Sequence, residues 1–391
     1  MIQKVVWILF LAITVIWAQS NVNPDISLIG FFSTYTNDVK GAPEYGKLNF
    51  DTPGFEMVVE GYLNPYARAL ATLAYEENEF DAEELYAEVL RGLPLDIQIK
   101  AGKYLLGFGK LNTSHPHVWP FLHRPLSHQI FLGPEGFNDI GFDLSFILPF
   151  EEIYSSITLG LFRGDAIANT LVSDETDITD TRGVSPIWTG RWGTFFSLSD
   201  YTSLEVGLSG SSGLYARAEI NETGDSTVAS KGKGFYYLYT ALDFKYKFVP
   251  DIYTALTIQG EGLVNYRDVP RDGNPGLNSS KQVINTITNY GYFLSVDYSF
   301  NKQFSIGAKY DFTYGIIGDE PTFSSLANDN ENTTRGMYFW IGYYPVEETL
   351  ALRLEVERLL FNYKNGMARD PETTLTLQLL FSLGPHKAHP F

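Results

Sequence analysis

The sequence predicts an all-β fold, a 16-stranded antiparallel barrel that crosses a membrane. Three observations carry that prediction: apolar and polar residues alternate over stretches of about ten, short and long connections alternate, and aromatics gather where strands meet turns. In residues 140–148, "IGFDLSFIL", Ile140, Phe142, Leu144, Phe146 and Leu148 share one face, and Gly141, Asp143 and Ser145 the other. "LALRLEVE" sets Leu350, Leu352, Leu354 and Val356 against Arg353, Glu355 and Glu357, and "TLTLQLLFSL" (374–383) repeats the scheme. Strands of a soluble sandwich alternate too, but usually run to about five or six residues.

Along the chain, "MIQKVVWILFLAITVIWAQS" comes first. Lys4, an apolar run from Val5 to Trp17 and small residues at Ala18 and Ser20 are the layout of a secretory signal peptide over residues 1–20, with a retained anchor as the alternative. The remainder, 21–391, reads as one barrel domain. Sixteen alternating segments start near Ile26, Gly54, Tyr66, Glu83, Ile97, Ile140, Ser155, Ile187, Thr202, Phe235, Ile252, Asn289, Phe304, Gly336, Leu350 and Thr374. Their connections are short at 64, 92, 149, 198, 249, 300 and 345. They are long and polar at 165–185, 211–232, 267–282 and 317–334, the asymmetry between periplasmic turns and external loops. An even count lets the sheet close without an unpaired edge in lipid. Tyr62, Tyr66, Phe146, Phe150, Tyr298, Phe300, Tyr343 and Tyr344 are the expected interfacial girdle.

Composition agrees. Cysteine is absent, so no disulfide holds the fold. There are 25 Tyr, 28 Phe and 35 Gly, and no long apolar run after the leader. The net charge of −18 argues against nucleic acid or an anionic surface as a partner. The expected surroundings are outer-membrane lipids and lipopolysaccharide, with monomer and homotrimer both open.

Alternation assigns twelve acids to the lumen: Glu56, Glu60, Glu84, Glu88, Asp143, Glu205, Asp243, Glu261, Asp297, Asp311, Glu355 and Glu357. Seven bases accompany them: Arg68, Lys100, Arg191, Lys245, Lys247, Lys309 and Arg353. The surplus of acids predicts a mild cation preference, reduced where neighbours such as Asp243 and Lys245, or Lys309 and Asp311, neutralise each other.

If the first strand runs outward, the third external loop spans about 107–139 and carries "SHPHVWPFLHRPLSH" (114–128), with four of the six histidines. Prolines 116, 120, 125 and 134 stiffen it, and Trp119, Phe121 and Phe131 give it apolar weight. The expectation is an inward-folding loop that narrows the pore, with His115, His117, Trp119, His123, Arg124 and His128 at the constriction. His115 and His117, two apart, are suited to share a metal such as Zn²⁺, with His123, His128, Glu135 or Asp139 completing a set. Against this, Pro116 restricts His115 and no tight zinc spacing is present, so loop packing is the competing reading. The tail 384–391 leaves the last strand at Gly384–Pro385. It holds His386 and His389, which would join the loop cluster if the tail bent into the lumen.

Residues 109–149, "GKLNTSHPHVWPFLHRPLSHQIFLGPEGFNDIGFDLSFILP", resemble a stretch of porin-like bacterial outer-membrane barrels often labelled zinc-regulated TonB-dependent outer-membrane receptors. The shared pieces are Gly109–Asn112, His115 and His117, Arg124–Pro125 and Leu132–Gly136. "NPDISLIG" (23–30), "AEELYAEVLRGLP" (82–94), "IKAGKYLLGFGKLN" (99–112) and the closing "FSLGPHKAHPF" are similar as well. The resemblance implies an outer-membrane barrel connected to zinc supply. No room exists ahead of the first strand for the plug that an energised receptor needs, so a porin fits the residues better. The resulting expectation is a passive channel for small hydrophilic solutes or ions, without a cofactor unless zinc occupies the histidines. The alternative is a metal-responsive binding or uptake protein. An enzyme is disfavoured, because Ser127 and His128 are adjacent in the chain, a poor geometry for proton relay.

Overall fold

The computed structural model describes residues 24–76, 79–151, 153–167, 178–179, 186–221, 229–270, 284–315, 332–346, 349–364 and 369–384. The leader 1–20 and the tail histidines His386 and His389 lie outside them. Sixteen strands form the wall: β1 (Asp25–Asn37), β2 (Gly54–Asn64), β3 (Ala67–Glu76), β4 (Glu79–Val89), β5 (Gln98–Leu105), β6 (Asn138–Ile147), β7 (Tyr154–Phe162) and β8 (Ile187–Ser199). They continue with β9 (Thr202–Asn221), β10 (Ala229–Asp251), β11 (Thr254–Pro270), β12 (Ile284–Phe300), β13 (Phe304–Tyr314), β14 (Thr333–Val346), β15 (Leu350–Asn362) and β16 (Glu372–Leu383). Each pairs antiparallel with the next, and β1 pairs with β16 from Leu28↔Leu383 to Asn37↔Thr374. The sheet is therefore closed, and its backbone groups find partners within the wall, as a hydrocarbon medium demands. Two-residue pairings at Asn49–Phe50 and Ile178–Thr179 sit outside this ring of sixteen.

Alternation sorts the faces. On β15 Leu352, Leu354 and Val356 are exposed, while Arg353 and Glu355 are 4% and 1% exposed. Apolar side chains thus cover the outside, a lipid-facing surface that would be untenable in water at this extent. At the turn end Tyr298, Phe300, Phe304 and Tyr343 stack in a row along the wall with near-parallel rings, their centroids 6.0, 5.6 and 5.1 Å apart. Tyr62, Tyr66 and Phe150 are exposed at that end too. Tyr344, expected in the same girdle, instead shares the parity of Tyr338 and Trp340, which are buried in the lumen.

The short turns follow from local hydrogen bonding. Asn64 Oδ1 accepts the amides of Tyr66 and Ala67, and Asp251 Oδ1 those of Tyr253 and Thr254. Both are Asx turns, which explain the sharp reversals before β3 and β11. One expected loop is corrected: 211–232 is mostly strand, because the β9–β10 ladder continues to Asn221↔Ala229. Register shifts at Leu214/Ala216 and Arg217/Glu219 break the alternation there, so a polar, glycine-containing stretch read as loop.

Candidate functional site

The connection from β5 to β6, residues 106–137, enters the barrel. Its base is closed by Asn112, fully buried, whose Nδ2 donates to the carbonyls of Leu106 and Phe137 (2.9 and 3.1 Å) and whose Oδ1 accepts the Phe137 amide (2.8 Å). Wall carboxylates then receive loop amides. Glu261 Oε2 accepts Lys110 and Leu111, Glu355 Oε2 accepts Leu122 (2.9 Å), and Asp311 Oδ2 accepts Leu126. Wall cations answer loop carbonyls: Arg353 Nη1 donates to Trp119 O (2.6 Å) and Lys309 Nζ to His123 O (2.7 Å). Charges that alternation placed inward are thus spent on the loop's irregular backbone, which must be satisfied once buried.

Apolar contacts complete the docking. Leu111, Trp119 and Phe121 pack on Phe293 and Trp340 of the wall. Phe108, Phe131, Leu132 and Phe137 join a larger cluster with Tyr215, Tyr237, Tyr239 and Leu263. A helix, α1 (Leu126–Leu132), opens after Pro125 and presents Leu126, His128, Phe131 and Leu132 to this seam. Trp119 (3% exposed) and His128 (fully buried) therefore lie in the seam between loop and wall, away from open water.

The four loop histidines separate into distinct places. His128 Nε2 is 3.1 Å from Glu261 Oε1, and His123 Nδ1 is 2.5 Å from Glu355 Oε1. His115 and His117 stay together, their rings stacked 5.8 Å apart at 20° across the 3-10 turn Pro116–Val118. They face β2 and β4. His115 Nε2 is 2.9 Å from Glu84 Oε2, and its Nδ1 is 3.3 Å from Glu56 Oε2 and 3.4 Å from Glu83 Oε2. His117 Nδ1 lies 3.1 Å from Glu56 Oε2. Burial lowers the proton affinity of the His115 imidazole, but these carboxylates outweigh it and hold its pKa well above the ordinary value. Asp139, expected as a further ligand, instead caps the amides of Ile140 and Gly164, while Glu135 shares Arg124 with Glu83. Arg124 stacks over Trp119 (5.0 Å). Burial pulls its guanidinium down to about 10, against Glu135 and Glu83, which raise it.

Beside the histidines, a cavity of about 230 Å³ opens between the loop and β4–β7. Glu84, Glu88, Lys100, Asp143, Ser145 and Thr158 line it, with Tyr86, Gln98, Tyr104 and Thr113. Lys100 Nζ sits 3.8 and 4.1 Å from the Tyr86 and Tyr104 ring centres, and Tyr104 donates to Asp143 Oδ2 (2.8 Å). Arg68 pairs with Glu88 on the wall. Glu60 and Glu357 are half-buried on the same lumenal parity. Farther round, Arg191 holds Asp243 through two bonds (2.6 and 2.9 Å), so Asp243 is neutralised by β8 rather than by Lys245.

Glu83 escaped the alternation argument. In the β3–β4 ladder Thr72 pairs with Glu84 and Leu73 with Ala82, so Glu83 is the extra residue of a bulge. A bulge re-aims a side chain, and here two consecutive glutamates both reach His115. The signal in the sequence was the adjacent pair Glu83–Glu84 itself, since strict alternation cannot turn both to one face.

No family model matches the chain. A curated protein of Aquifex aeolicus (strain VF5), described as an uncharacterized protein, is 27% identical over 402 residues, covering 96% of this chain and 81% of that one. The fold is similar to the outer membrane channel DcaP of Acinetobacter baumannii, with a TM-score of 0.55, 11% identity and coverage of 92% and 97% of the two chains. It is also similar to the anion-selective porin from Comamonas acidovorans (0.53, 10%, 92% and 100%). OmpT, an outer membrane protein of Vibrio cholerae, matches likewise (0.52, 8%, 93% and 100%). The receptor label gains nothing from these likenesses, and among the described residues a loop, not a plug domain, enters the lumen. By its closed sixteen-stranded wall, its apolar outer band and these likenesses, the chain has the β-barrel fold of bacterial outer-membrane porins.

Proposed function

We propose that the protein is a passive channel for small hydrophilic solutes, with a modest preference for cations. One observation carries this reading: the loop seals by apolar packing on one side of the lumen, while its other side borders a polar cavity against β4–β7. Solutes following that side meet hydroxyls, an amide and ions rather than an apolar barrier. The preference comes from charge. Glu84, Glu88 and Asp143 line the cavity with Lys100 as the base among them, and Glu56 and Glu83 join Glu84 around His115. Like charges along a narrow path select ions by sign.

Planar-bilayer recording of the purified barrel tests both parts. The expected result is ohmic conductance, with a reversal potential in a KCl gradient displaced to the cation side. A folded barrel that passes no current would sink the channel reading, and a reversal potential on the anion side would sink the preference.

A further inference from the structure

We propose that Glu56, Glu83, His115 and His117 form a binding site for one divalent transition-metal ion of the zinc type, which ties loop 106–137 to strands β2 and β4. The site stands whether or not the barrel conducts.

His115 Nε2 lies 2.9 Å from Glu84 Oε2, the distance of a charge-assisted hydrogen bond with nitrogen donating. In the neutral ring that leaves Nδ1 as a lone pair, and Nδ1 faces two more oxygens, Glu56 Oε2 at 3.3 Å and Glu83 Oε2 at 3.4 Å. Three electron-pair donors then converge, all within 4.8 Å of one another. Both separations are long for an N–H···O bond. They match donors sharing a metal: bonds of about 2.0–2.1 Å at tetrahedral angles set neighbouring ligand atoms about 3.3–3.4 Å apart. His117 Nδ1, 3.1 Å from Glu56 Oε2 and on a ring stacked against His115, is the nearest fourth donor.

The surroundings fit the same chemistry. A metal-bound histidine ordinarily donates its other nitrogen to a carboxylate, which fixes the tautomer. Glu84 takes that part, and its Oε1 is itself held by the Leu105 amide at 3.1 Å. Mixed imidazole and carboxylate donors suit zinc and its neighbours rather than calcium or magnesium. Charge agrees in sign: three glutamates face Arg124, which acts on Glu83, and Lys100, which acts on Glu84. The three carboxylates around His115 give the site the sign that a divalent cation needs. The bulge that turns Glu83 inward places the third carboxylate, which regular pairing would aim at lipid.

The full-length, refolded barrel is titrated with Co²⁺, read by visible ligand-field absorption, and then with Zn²⁺ by calorimetry. Gel-mobility shift on heating verifies that each variant is folded. The expected result is one equivalent bound with the strong absorption of low-coordinate cobalt, which Zn²⁺ displaces. His115→Ala/His117→Ala and Glu83→Gln weaken binding at least 100-fold, and Glu84→Gln weakens it about 10–100-fold. His123→Ala and His386→Ala/His389→Ala leave it unchanged. Should a proton alone occupy the site, the wild type shows no saturable uptake, which overturns the proposal. Uptake that survives His115→Ala/His117→Ala overturns it equally, as does uptake lost in the tail variant.

Discussion

His123 and Glu355 meet inside the barrel, the imidazole Nδ1 2.5 Å from the carboxylate Oε1, in a chain where the two stand 232 residues apart. The other oxygen of Glu355 accepts the Leu122 amide, and Lys309 holds the His123 carbonyl. Loop and wall are thus joined here through an ionisable contact. Burial lowers the proton affinity of His123. Glu357 and Glu355 raise it more, so with the loop docked its pKa stands above the ordinary 6.5 despite the opposing charge of Lys309.

The sign of the pH effect follows. A pKa raised by docking contributes stability that is fully present below the ordinary histidine value and is lost as pH rises through the docked value. Limited proteolysis of the folded barrel should therefore cut loop 106–137 faster at pH 9 than at pH 6. In His123→Ala cutting should be faster at both and the difference smaller, because Glu355 loses its imidazolium partner while His115, also raised by wall carboxylates, keeps its share of the linkage. Equal rates at both pH values in the wild type would refute the linkage.

Phe121 tests the apolar half of the docking. It is fully buried, with ring centres of Trp119, Trp340 and Phe293 at 5.7, 5.8 and 6.2 Å. Phe121→Ala should cost about 3–5 kcal/mol of loop docking, and Phe121→Leu clearly less. The wall's own ladder does not depend on this ring. Proteolysis in the loop should accordingly rise while the barrel keeps its heat-shifted gel mobility.

Gly109 is required by its backbone. Its φ is +69°, and a Cβ built there would fall 1.8 Å from Glu261 Oε1, the carboxylate that accepts Lys110 and Leu111 and contacts His128. Gly109→Ala should therefore lower loop stability by about 1–3 kcal/mol from strain, with further loss as Glu261 moves. Gly107→Ala is the control, since its Cβ would meet only Arg191 Cδ, at 3.9 Å. Hydrogen exchange at the amides of residues 109–112 should separate the two.

The wall was legible in the sequence because a lipid outside and a polar lumen impose a period of two. β2, β8, β9, β13 and β15 begin where alternation begins. Bulges defeat that logic: they hid the extension of β9 and β10 and the inward turn of Glu83. Site partners were harder still. His115 finds Glu56, Glu83 and Glu84 from strands 31 to 59 residues upstream, whereas a candidate nearer in sequence, Asp139, serves other contacts. Nothing in the local pattern states which wall strand a long loop will lie against, because that is decided by shape and by which buried amides each carboxylate can satisfy.

Lys100 and Glu88 offer a test of selectivity whose two arms move in opposite directions. Lys100 is the base lining the cavity, held over Tyr86 and Tyr104, and Glu88 is one of three acids there, paired with Arg68. Lys100→Gln removes a positive charge and should raise the cation-to-anion permeability ratio. Glu88→Gln removes a negative one and leaves Arg68 without that carboxylate, so the ratio should fall. The two substitutions change side-chain volume little, and opposite shifts cannot both come from a wider path. The difference should be largest at low ionic strength and shrink near 1 M salt, where the screening length is about 3 Å. If both variants shifted the reversal potential the same way, the path would not run along β4 and β5.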